Sequence, residues 1–311
     1  MARSLRDLRR KMKAIKATRQ VTKAMELVAA SKMRRAVSNA QKLRTYALQA
    51  WRILQKLSTV RPEAHLYMQE KELRNVLAVM FTPDRGLCGS LNAQLLRTVG
   101  QYYKGLKTVP TFQKLDCIAI GKKGQQFLPH LELQKNIVAA FPAFAGYPTF
   151  KDVLPISRMA TEGFLQGSYD HVVLIYSDFI SPLVQEPTVK VLLPFTATSL
   201  REMLGSILPK RYQRELTKEL DEVKVGEYVL EPSEAEILET ILPQLTEIQV
   251  YQAALEAGAS EQSARMVAMR NASDSASDII DDLSLVYNQT RQANITGELA
   301  ELSAASAALK R

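Results

Sequence analysis

Two glycine-containing turns hold most of what could do chemistry in this 311-residue chain. The first, TPDRGLCGSLNAQ (82–94), follows an apolar run and opens a helical pattern, the setting in which backbone amides cradle a phosphate. The second, GKKG (121–124), brackets two lysines between glycines and could hold an anion in the same way, although a tight strand-to-helix turn with solvated lysines accounts for it as well. Neither has the spacing of a common phosphate loop. GQYYKGLKT (100–108) misses the P-loop pattern by one inserted Leu, and its two tyrosines fall within a helical stretch. His65, His130 and His171 are scattered, and no HExxH occurs. Cys88 and Cys117 are too few for a disulfide framework or a four-thiolate zinc site, and a reducing compartment is expected. Asp281 and Asp282 are adjacent on a helix and point to different faces. No catalytic residue, cofactor or metal is assigned; an α/β enzyme or nucleotide-binding protein using the 84–92 turn stands as the alternative reading.

The elements that would position such groups are dominated by the two ends. From Met1 to Arg61 there is neither Gly nor Pro. A continuous helix of that length spans about 90 Å at 1.5 Å per residue, wider than any domain the middle of the chain could build, so it is expected to project or to pack along a partner. Steps of three and four from Leu5 meet Leu8, Met12 and Ile15, then polar Arg19, Thr22 and Glu26, then Ala29, Met33 and Ala36. The pattern predicts a coiled-coil seam with a local shift onto Val21, Met25 and Val28. Near the other end the same stepping meets Met269, Ala272, Ala276, Ile279, Leu283, Val286 and Thr290, and continues through Ala293, Gly297 and Ala300. Both seams are rich in Ala, which lets two helix axes approach closely.

Charge supports the pairing. Residues 1–61 carry 17 Lys and Arg against 2 acids, whereas residues 233–311 carry 5 against 12. Pattern and sign together predict an antiparallel coiled coil of the two ends. The basic first helix raises nucleic-acid binding as a rival, given a pI near 9.4. Its basic residues surround an apolar seam, however, and Tyr46 and Trp51 are its only aromatics, so nucleic acid is set aside. No apolar run reaches the length of a membrane span, and the basic start has no hydrophobic signal core behind it.

Between the ends, NVLAVMF (75–81), CIAI (117–120) and HVVLIY (171–176) read as strands, with further strands near 136–141 and 187–193, the latter ended by Pro194. Helical stretches near 90–104, 122–128 and 151–166 alternate with them. The expected fold class is α/β: long N- and C-terminal helices in an antiparallel coiled coil, plus an inserted small Rossmann-like domain with a largely parallel sheet. The expected divisions are an N-terminal shaft helix 1–61, an α/β head or foot 62–232 with an extra charged helical segment near 199–223, and a C-terminal shaft helix 233–311. Ser233 with Glu236 supplies its start signal, and Pro243 and Gly258 are expected to kink and weaken it.

Particular stretches go further. KMKAIKATRQVTKAMELVAASKMRRA (11–36), DRGLCGSLN (84–92), IGKKG (120–124), the run from Tyr228 to Met269 and DLSLVYNQTRQANITGEL (282–299) resemble the gamma subunit of F-type ATP synthases, over nearly the whole chain. The resemblance implies a non-catalytic rotary central stalk that turns inside a hexamer of alpha and beta subunits. Its foot would ride on the membrane c-ring, coupling ion flow to ATP synthesis or hydrolysis. It implies that Met25 faces the beta subunits, that Arg265 couples to the Met25 region, and that Arg291, Gln292 and Thr296 form a polar catch with a beta subunit. Glu227, Tyr228 and Glu231 would contact the epsilon subunit and the c-ring loops. Residence on the cytoplasmic side of the inner (plasma) membrane, held peripherally through the complex, follows from the same resemblance. Ser90 and Gly297 depart from the family's usual residues, and 199–223 exceeds the common bacterial pattern.

Overall fold

The computed structural model describes residues 5–57, 66–144, 148–195 and 234–309. Its contacts divide into two compact units, one formed by Met1–Ala29 with Arg265–Arg311, the other by Ala30–Ala264. Helix α1 runs Leu5–Leu57 and the last helix, α5, runs Glu234–Leu309. α5 is one helix through both Pro243 and Gly258. Ser233 and the charged segment 199–223 lie outside the described residues.

The unit of 30–264 is built on a five-stranded sheet in the order β3-β2-β1-β4-β5. β1 (Asn75–Phe81), β2 (Lys114–Ile120), β3 (Ile137–Phe141) and β4 (His171–Ser181) are parallel, and β5 (Val184–Leu193) returns antiparallel along the edge. Burial follows position in the sheet. β1 and β2 are covered on both faces and therefore read as continuous apolar runs, whereas edge strand β3 alternates. β5 carries Pro187, which an edge strand tolerates because its missing N–H costs no interior ladder bond.

Two apolar layers sandwich the sheet. On one side Leu95 and Val99 of α2 (Leu91–Leu106) pack with Val76, Ala78, Met80, Val173 and Ile175. On the other, α4 (Phe150–Leu165) buries Val153, Ile156, Ala160 and Phe164, spaced three and four apart, beside Leu242, Leu245, Ala253 and Ala254 of α5. α4 starts with a capping box: the Thr149 hydroxyl and backbone N–H both bond Asp152 Oδ2, at 2.7 and 2.8 Å, which lowers the Asp152 carboxyl below its ordinary range.

β1 and β4 are neighbours, yet the chain leaves β1 toward β2 and β3 before returning to β4. That makes the crevice beyond their carboxyl ends the switch point at which open α/β sheets bind ligands. Here α5 covers it. Ala254, Ala257 and Gly258 close over Phe81, Thr82, Ile120 and Ser177, leaving a cavity of about 30 Å³. That is roughly one water's share of volume, far below the several hundred Å³ of a small-molecule pocket.

Candidate functional site on the paired terminal helices

The second glycine turn is occupied by the chain itself. Asp84, from the first turn, accepts the Lys122 amide at 2.9 Å and the Ala143 amide at 3.2 Å, so a carboxylate already sits at the start of the short helix α3 (Lys122–Phe127). Thr82 accepts the Gly124 amide at 2.8 Å and donates to Ile120 O at 2.8 Å. GKKG is thus a tight strand-to-helix turn pinned to the end of β1. Cys88 and Cys117 are both buried, and burial pushes the Cys117 thiol up to about 12, away from nucleophilic use. Among the described residues no group of three His, Cys, Asp or Glu side chains could hold a metal, and no helix is long and apolar enough to cross a membrane.

The other unit carries a different kind of site. Its two helix segments are antiparallel, and the polar contacts that join them include Arg9 Nη2 to Tyr287 Oη, Arg19 Nη1 to Ser277 Oγ at 3.0 Å, and Arg270 Nε to Glu26 Oε1 at 3.1 Å. In each pair the residue numbers add to 296, so a single register holds across the unit. The Arg9 guanidinium also stacks 5.6 Å from the Tyr287 ring centroid. Ser273, Ala276 and Ile280 are buried between these contacts, and Leu8, Ala29 and Met269 are buried just beyond them.

The expected shift of the first seam does not occur. Val21 and Val28 are 58% and 56% exposed, and Arg19 and Glu26 stay in line because each meets a polar mate on α5, while the Thr22 hydroxyl bonds the Arg19 carbonyl of its own helix. On α5 the buried stripe runs through Ile280 and half-buried Tyr287, whereas Ile279 is 46% exposed and Val286 is also exposed. Glu26 is the residue that sequence reasoning passed over. It is buried, with Oε2 taking the Lys23 ammonium at 2.9 Å and Oε1 taking Arg270. Lys23, aided by Arg270 and opposed by burial, holds the Glu26 carboxyl below its ordinary 4.5. The sign follows: this contribution is present above pH 4.5 and is lost as acid takes the pH down through the lowered value. A usable signal existed, since Glu26 is one of only two acids in a strongly basic segment and falls on the seam.

The same register places Leu5 opposite Arg291, and from Arg291 to Ala305 every residue of α5 is exposed. Arg291, Gln292 and Thr296 stand together on this overhang; Gln292 and Thr296 share a face, with Arg291 about 100° round the helix from Gln292. Met25 and Arg265 are half-buried on their helices. Glu227, Tyr228 and Glu231 lie outside the described residues. The overhang also carries an exposed stripe missed by the seam pattern: Ile295, Leu299 and Leu302, at i, i+4 and i+7, are 48%, 60% and 67% exposed. An apolar stripe left open after the helices have paired marks a surface built for something outside the chain.

Comparison with known proteins decides the family. The ATP synthase family model matches residues 4–309. The ATP synthase gamma chain of Roseiflexus castenholzii is 40% identical over 309 residues, covering 98% of each chain. The chain belongs to the ATP synthase gamma chain family. The gamma chain of Cupriavidus necator is 38% identical over 305 residues, covering 98% of this chain and 99% of that one. Among solved structures, the central stalk and c-ring of the Tetrahymena thermophila mitochondrial ATP synthase aligns with a TM-score of 0.55 at 25% identity, covering 81% of this chain and 99% of that one. The Euglena gracilis mitochondrial ATP synthase rotor shares the fold, with a TM-score of 0.59 at 19% identity over 94% of this chain and 98% of that one. The α/β unit keeps no small-molecule room at its switch-point crevice, and the last helix carries an exposed apolar stripe.

Proposed function

We propose that this chain is the turning central stalk of an ATP synthase, without a catalytic site of its own, coupling ion flow through a membrane c-ring to ATP synthesis or hydrolysis in a hexamer of alpha and beta subunits. The observation that carries this reading is the stretch from Arg291 to Ala305, which is exposed throughout and presents an apolar stripe. Apolar burial is non-directional. A shaft that passes several similar partners in turn gains from such contact, because few oriented bonds have to break at each step. Directional bonds then belong at chosen points, and Arg291, Gln292 and Thr296 supply them on the overhang, with Met25 and Arg265 serving the same hexamer lower on the helices. Glu227, Tyr228 and Glu231 are assigned to the epsilon subunit and the c-ring loops through the family resemblance. The shaft helices are 1–61 and 233–311, the foot is 62–232, and the protein resides peripherally on the inner membrane, cytoplasmic side, through the complex.

The isolated chain is expected to show no nucleotide turnover and no micromolar nucleotide binding, and to restore ATPase activity when mixed with alpha and beta subunits. Turnover by the chain alone, or failure to assemble, overturns the reading. Within the assembly, Arg291→Ala should slow coupled turnover about tenfold, the size of one charge-assisted hydrogen bond, with assembly intact. Full retention of turnover removes Arg291 from the catch.

A further inference from the structure

One buried carboxyl of the α/β unit, Glu256, carries an oxygen with no hydrogen-bond partner. On the β4–β5 hairpin, Leu174 with Lys190, Tyr176 with Thr188 and Asp178 with Glu186 are cross-strand partners, and alternation puts all six on one face. Glu256 of α5 is buried against that face. Its Oε1 accepts Gln252 Nε2 at 2.8 Å, from one turn earlier on the same helix. Its Oε2 is also buried and makes no hydrogen bond. Beside it stand the Tyr176 hydroxyl and a second carboxyl, Asp178 of β4.

The charged and titratable groups around this contact come from three elements. β4 supplies Asp178 and the Tyr176 hydroxyl, β5 supplies buried Lys190 and, beside Asp178, exposed Glu186, and α5 itself supplies Glu256. One buried and one half-buried carboxyl therefore stand near one buried ammonium. Two carboxylates cannot bond each other, because both only accept. One proton changes that: a carboxylic acid donates to the neighbouring carboxylate, the orphaned oxygen is satisfied, and the cluster with Lys190 becomes neutral. A second tie joins the same two elements, since Ser263 Oγ of α5 donates to Pro182 O in the hairpin turn at 2.7 Å.

We propose that Glu256 and Asp178 share a single proton and so form a proton-dependent latch that holds the β4–β5 hairpin against α5. Losing the proton leaves the buried Glu256 carboxylate facing that of half-buried Asp178 and frees the hairpin to open locally, while the Ser263–Pro182 tie keeps the turn close. Burial first, and the Asp178 charge second, push Glu256 up to about 7, and burial raises Asp178 as well. An acid raised in this way stabilises the closed latch fully below its ordinary value of 4.5, and that contribution is lost as the pH rises toward 7. The latch is thus set to respond near neutral pH and is independent of any partner the stalk turns against.

The test is amide hydrogen exchange of the full chain, read at the hairpin and corrected for the intrinsic pH dependence of exchange. The opening constant is expected to rise about tenfold per pH unit between about pH 5 and pH 7 and then to level off. Glu256→Gln, which keeps shape and hydrogen bonding without the titration, should remove the slope, and Asp178→Asn, which leaves Glu256 buried but without its charged neighbour, should make it shallower. Infrared spectra of the unaltered chain near pH 6 should contain a buried protonated carboxyl stretch that fades toward pH 8. A hairpin whose opening is flat with pH in the unaltered chain, a slope that survives Glu256→Gln, or the absence of that band overturns the proposal.

Discussion

Gly121→Ala is expected to prevent the α/β unit from folding. Gly121 has φ of +86°, and a Cβ built there lies 1.8 Å from Thr82 O and 2.6 Å from Thr82 C. The obstacle is backbone, and it cannot step aside, because Thr82 N and Oγ1 both bond Ile120 O, at 2.9 and 2.8 Å, while Oγ1 also holds the Gly124 amide. Strain at a left-handed position and collision with a fixed carbonyl add together. The cost should be about 4 kcal/mol or more, out of roughly 5–15 kcal/mol for a whole domain. Gly105 is the internal control: it lies inside α2 with nothing within 4 Å of a built Cβ, so Gly105→Ala should be neutral or stabilise by about 0.5 kcal/mol. Thermal unfolding of the two variants checks both, and equal melting would refute the steric account. The lysines of GKKG do not enter this argument, and their replacement should leave the turn in place.

Glu26→Lys is expected to open the helix pair of the other unit. The substitution removes both bonds to the carboxylate and sets a third cation beside Lys23 and Arg270. For a fully buried pair, loss of one partner costs about 3–5 kcal/mol. Lys23 and Arg270 are 57% and 62% exposed, so water screens part of the repulsion and about 2–3 kcal/mol is the appropriate expectation. Spin labels on cysteines placed at Arg19 and Ser277 report the register directly: they should give one short, narrow distance in the parent chain and a longer, broader one once Glu26→Lys is present. Adding Arg270→Glu restores opposite charges across the seam and should recover more than half of the lost stability. A register that persists in Glu26→Lys would mean that the apolar seam alone sets the pairing.

These two positions also mark what could and could not be read before the structure. Central strands were legible because parallel strands covered on both faces must be continuously apolar, as NVLAVMF is. Pairing of the ends was legible in Ala-rich seams of opposite charge. Their register was not. It depends on Glu26 meeting Arg270 and Arg19 meeting Ser277, contacts between residues some 250 positions apart that a heptad count reads as interruptions. The same blindness moved the expected stripe to Ile279 and Val286, one position away from Ile280 and Tyr287. Toward the end of α5, Ala293, Gly297 and Ala300 looked like more seam, although all three are exposed, and the apolar face there is Ile295, Leu299 and Leu302. The Thr149–Asp152 capping box was readable from spacing alone. Glu256, an isolated acid in an apolar stretch of α5, carried a hint of burial but no hint of Asp178 as its neighbour.

The most direct test of the account is to watch the chain turn. Leu183, in the hairpin turn, is 79% exposed, whereas Cys88 and Cys117 are buried, so Leu183→Cys offers a handle that labelling reagents can find selectively. The labelled chain is assembled with alpha and beta subunits fixed to a surface, and a bead on the new cysteine is followed as ATP is added. The account predicts sustained rotation in one direction that starts with ATP and stops when it is exhausted. ATP hydrolysis by the assembled complex with a stationary or randomly wandering bead would contradict it.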